Sequence, residues 1–102
     1  MPDYQFLSQE EQDEIIVEYL KAQERDHFCH RINLERFDAM LQSLPEGEFK
    51  NHIVNLREET AKRLIEVNSI IGATKRQLPP QERLDAAKAR LAAKLESQNK
   101  TA

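Results

Sequence analysis

Alternating steps of four and three residues connect Ile16, Leu20, Gln23, His27, His30, Leu34, Phe37, Leu41 and Leu44. A repeat of this period marks the seam along which one long helix meets another. A second seam, Phe49, Ile53, Leu56, Thr60, Leu64, Val67 and Ile71, follows after Leu44-Pro45-Glu46-Gly47. Pro45 cannot bond back into the first helix and disfavours helical geometry for Leu44. Two long seams joined by so short a turn are expected to run antiparallel.

The helix boundaries are written in local chemistry. Ser8 and Glu11 form a capping-box pattern, and Glu10, Glu11, Asp13 and Glu14 suit the positive end of a helix dipole. The first helix is therefore expected over about 8–43. Ser43 and Glu46 repeat the capping pattern and place the second helix at about 46–74, with Lys75 and Arg76 at its negative end. Pro79-Pro80 breaks the chain. A third helix from Gln81 to about Leu95 carries Leu84, Leu91 and Leu95 on one stripe, and the tail from Ser97 is expected to fray. The expected fold class is all-α: a long antiparallel hairpin over 1–78, and a shorter amphipathic helix and tail over 79–102. Two Gly, no Trp and no alternating Val/Ile window agree with helix throughout.

The hairpin is expected to need a partner. Ile15, Tyr19, Ala22, Cys29 and Met40 lie beside the first seam, and Phe28 and Ile32 lie on its other flank, a face too wide for one helix to cover. Either the third helix folds back over this face or, the favoured reading, a second copy completes a four-helix bundle, two-fold dimers being the commonest closed assemblies. The interaction surface is expected at Tyr19, Phe28, Ile32 and Met40 on the first helix and at Leu84, Leu91 and Leu95 on the last.

The seam has a polar gap. With the turn centred at Pro45–Glu46, Gln23 faces Asn68 and His30 faces Thr60, so Gln23, His27, His30, Thr60 and Asn68 are expected to form a buried polar layer that fixes register. A second reading leaves the histidines half exposed at the edge of the seam, and a third is a metal site. Glu24-Arg-Asp-His27 is the Glu-x-x-His unit of di-iron bundles, and a dimer would supply Glu24 and His27 twice, with Glu66 nearest in height on the second helix. That set suits iron or manganese. Cys29 points away from the histidines and is expected to be a buried structural thiol.

Charge is divided along the chain. Residues 1–26 carry eight acids and two bases, a net of −6, whereas residues 75–102 carry seven bases and three acids, a net of +4. The poles are expected to be solvated faces, with attraction between the two ends as the alternative. Nucleic-acid binding through the basic last helix is a further alternative. Arg83, Lys88, Arg90 and Lys94 read as spread around that helix, however, with no aromatic residue to stack on bases. No phosphate loop, Ser/His/Asp set or paired-cysteine motif occurs. The expectation is a non-enzymatic, coiled-coil-like interaction or assembly module of adaptor, chaperone or inhibitor type, with no cofactor. It would be homodimeric, bind another protein, and avoid membranes. One cysteine and no signal-peptide pattern place it in the cytoplasm.

Overall fold

A computed structural model describes residues 7–101. They form three helices, α1 (Gln9–Ser43), α2 (Glu48–Arg76) and α3 (Gln81–Thr101), with no strand among the described residues. None of these helices is long and apolar enough to cross a membrane. The expected lead-in over residues 1–6 lies outside the described residues.

The start of α1 follows the capping chemistry. The Ser8 amide donates to Glu11 Oε1 at 3.2 Å, and the Glu11 amide donates to Ser8 Oγ at 3.1 Å. Two amides that the helix leaves without internal partners are thereby satisfied reciprocally. The second capping box does not form. The Ser43 hydroxyl donates backward to the Met40 carbonyl, and Glu46 pairs with Lys50 at 2.8 Å. Helix α2 starts two residues later than expected, at Glu48, with the Asn51 amide donating to the Gly47 carbonyl at 3.1 Å.

Gly47 explains the delay. Its φ is +151°, a conformation that L side chains rarely adopt, so the chain cannot enter α2 before passing it. A Cβ added there would meet nothing within 4 Å, so the demand comes from the backbone alone. Gly47→Ala is expected to cost about 1 kcal/mol in urea unfolding, with the helical content unchanged.

At the far end, α2 runs past Gly72 to Arg76 and closes with the Gln77 amide on the Thr74 carbonyl at 3.0 Å. Helix α3 is longer than the sequence suggested. The tail expected to fray continues helically to Thr101, since no Gly or Pro interrupts it.

The chain divides into two compact units. One joins the described residues up to Lys21 with those from Thr74 onward. Its core is Val17, Leu84, Ala87 and Leu91, with Leu78 packed against them. Ala87 has no exposed surface. The other unit spans Ala22–Ala73 and buries Ile53 and Val67. Of its other seam residues, Leu34, Phe37, Leu41, Leu56, Leu64 and Ile71 are half-buried, whereas Phe49, expected in the seam, is exposed. An ion pair from Arg57 to Asp38 ties α2 to α1 here, and it holds the Arg57 guanidinium above its usual range.

Candidate functional site

The most developed chemistry lies in the terminal unit, where the first turns of α1 meet α3. Asp13 and Glu14 are buried, at 3% and 7% exposure. A buried carboxylate is costly unless it is paired and hydrogen-bonded, and both are. Arg83 grips Asp13 as a fork, with Nε to Oδ2 and Nη2 to Oδ1 both at 3.1 Å. Gln9 Nε2 adds a third donor to Oδ1 at 2.9 Å. Lys94 Nζ donates to Glu14 Oε1 at 2.7 Å, and Arg90 Nε stands 3.7 Å from the same oxygen. Arg90 also donates through Nη2 to the Glu10 carbonyl at 3.3 Å. Its buried Nε has no hydrogen-bond partner among the described residues.

These contacts revise two expectations. The acids near the start of α1 do more than complement the dipole, because Asp13 and Glu14 hold α3 by its cations. The α3 cations are also less scattered than they read. Arg83, Arg90 and Lys94 are separated by seven and four residues, which at 3.6 residues per turn puts them within about 40° of arc. Only Lys88 of the four falls off that line. The opposite net charges of the two ends were the available signal. What they could not show was that the attracting groups would be buried on the acidic side.

The Asp13 carboxyl is held below its usual value of 3.8, chiefly by the Arg83 hydrogen bonds. Burial opposes this, and Gln9 and the charges of Arg83 and Arg90 assist it. A carboxyl so held is a fixed anion, positioned to bind a cation and unsuited to donating a proton near neutrality.

The unfolded chain takes up this proton at ordinary carboxylate pH, whereas the folded chain does so only at lower pH. The stabilisation is therefore present above about pH 4 and is lost as pH falls through the lowered folded value. Arg83→Ala removes the largest cause and leaves the burial, so the loss should begin at higher pH in that variant. Urea midpoints measured from neutral to strongly acidic pH check both statements.

A shallow cleft of about 220 Å³ opens in the same unit, lined by Glu11, Glu14, Ile15, Glu18, Leu91 and Lys94. Of the expected contact residues in this unit, Tyr19 and Leu95 are exposed, at 47% and 57%. Leu84 offers no open surface, and Leu91 shows only the small part that lines this cleft. They are spent on the core with Val17, at 9% and 7% exposure.

In the 22–73 unit, Phe28 and Met40 are exposed and Ile32 is half-buried. The Arg31 guanidinium lies over the Phe28 ring at 5.7 Å. Gln23, His27, His30 and Thr60 are half-buried in the single chain, and Asn68 is exposed. Thr60 donates to the Leu56 carbonyl of its own helix at 2.8 Å and not to His30. A threonine within a helix commonly satisfies its hydroxyl on the carbonyl four residues back. Cys29 is an exposed free thiol and not the buried one expected, because its position lies off the seam. Glu24 and Glu66 are both exposed. Among the described residues of one chain, no group of three or more His, Cys, Asp or Glu side chains is placed to hold a metal ion. No protein-family model matches this chain, and no curated protein or solved structure does so either.

Proposed function

We propose that this chain is a non-enzymatic protein-interaction module that works through its helical surfaces and assembles with a second copy of itself. The carrying observation is how little the 22–73 unit buries. Ile53 at 4% and Val67 at 8% are its buried hydrophobic residues, while Phe28, Phe49 and Ile65 are 53%, 58% and 70% exposed. A unit whose seam is only half covered, with aromatic residues standing outside it, has the surface of a bundle lacking its other half.

The four-residue connection and the Arg57–Asp38 pair support an antiparallel hairpin of α1 and α2. A two-fold copy laid on Phe28, Ile32 and Met40 would turn this hairpin into a four-helix bundle. Gln23, His27 and His30, half-buried in one chain, would then form the polar layer that sets register between copies. The free cysteine fits a reducing compartment such as the cytoplasm.

The α3 cations Arg83, Arg90 and Lys94 are already engaged by Asp13 and Glu14, which leaves less positive charge for a nucleic acid. No observation favours the iron or manganese reading over assembly. Sedimentation equilibrium across a concentration series tests the proposal. The expected result is a dimer that Phe28→Glu converts to monomer. A compact monomer at every concentration would overturn it.

A further inference from the structure

We propose that the cleft between the first turns of α1 and α3 docks a cationic amphipathic helix from another protein. The apolar residues that line the cleft are Ile15 and Leu91, and each has an exposed apolar residue one turn further along its helix. On α1, Ile15 is 41% exposed, and Tyr19 follows one turn later at 47%. On α3, Leu91 lines the floor, and Leu95 follows one turn later at 57% exposure. Each pair spans about 6 Å along its helix. A furrow edged by apolar residues from two helices is a surface into which a further helix packs, with its apolar anchors spaced by three and four residues.

The rim gives the sign of the partner. The cleft is lined by three carboxylates and one ammonium group, a net of −2 from Glu11, Glu14, Glu18 and Lys94. Glu14 is answered by Lys94 and Arg90. No ion pair holds Glu11 or Glu18 among the described residues. An anionic rim over an apolar floor favours a helix whose leucines are flanked by lysine or arginine. It repels a helix of the same apolar pattern flanked by glutamate. A second copy's α3 is a poor occupant, since its Arg83, Arg90 and Lys94 are engaged in its own unit. The cleft uses no residue of the 22–73 unit and stands whether or not the chain dimerises.

The test is fluorescence anisotropy with a labelled synthetic helix of about 18 residues, leucines on one face and lysines elsewhere, against a twin with glutamates in place of the lysines. The lysine peptide is expected to bind at least ~10-fold more tightly than its twin at moderate salt. Glu18→Lys and Ile15→Ser should each weaken it by roughly 10-fold while circular dichroism shows the helices intact. Glu59→Lys makes the same change in net charge at an exposed site in the other unit, and should change affinity by less than about twofold. Equal binding of the two peptides, no binding of either, or equal losses at Glu18 and Glu59 would overturn the proposal.

Discussion

Leu91→Ala is expected to destabilise the terminal unit by about 2–5 kcal/mol and to release α3 from α1. The side chain is 7% exposed and packs with Val17, Leu84 and Ala87, a core of four residues. Removing its branched end leaves a cavity that so small a cluster cannot fill by rearranging. The ion pairs will not hold α3 in its place. Arg83 and Lys94 are about half and nearly two-thirds exposed, so water competes for them once the apolar contact loosens. Hydrogen exchange checks this directly, as the amides of α3 should lose protection while those of residues 48–73 keep theirs. Leu95→Ala, one turn later and 57% exposed, should change stability by less than about 0.5 kcal/mol.

Ile53→Ala is expected to cost a similar ~2–5 kcal/mol, this time in the 22–73 unit. Ile53 and Val67 are the buried hydrophobic residues of that unit, so the substitution removes a large share of what it buries. If a second copy supplies the rest of the burial, the loss also appears as a weaker assembly. The urea midpoint of Ile53→Ala should then rise with protein concentration more steeply over the micromolar range than that of Leu91→Ala. Anything that binds only the folded chain stabilises it by mass action.

The long elements could be read from the sequence because their signals are local. The 3.5-residue seams correctly marked the sheltered positions of α1 and α2, from Leu34 to Leu41 and from Ile53 to Ile71, and Ser8 with Glu11 marked the start of α1. The delayed start of α2 was not legible. Ser43 and Glu46 matched a capping box, but the pattern says nothing of φ at Gly47, which decides where the helix begins. The partner of α3 was hidden for another reason. Val17 lies outside the α1 seam series, beside Ile16, so it carried no periodic signal. Asp13 and Glu14 looked satisfied by the helix dipole, and only the opposed charges of the two ends hinted at a long-range role. Leu84 and Leu91 read as a contact stripe of undecided partner, because a three-leucine helix looks the same whether it awaits a partner or already has one.

The histidine layer remained partly legible. Gln23, His27 and His30 occupy seam positions and are half-buried, less enclosed than a buried layer requires. Thr60 and Asn68 did not join them, because one hydroxyl turned to its own backbone and one amide faces water. In a single chain the layer has its α1 side and lacks a complete opposing side.

The central claim is that a second copy covers the open face of the 22–73 unit. The most direct measurement is an isotope-filtered nuclear Overhauser spectrum of a mixed sample in which labelled chains meet unlabelled ones. Cross-peaks between chains are expected from the Phe28 ring and the Met40 methyl group. Filtered spectra with no such cross-peaks at a concentration where Ile53 and Val67 are folded would contradict it.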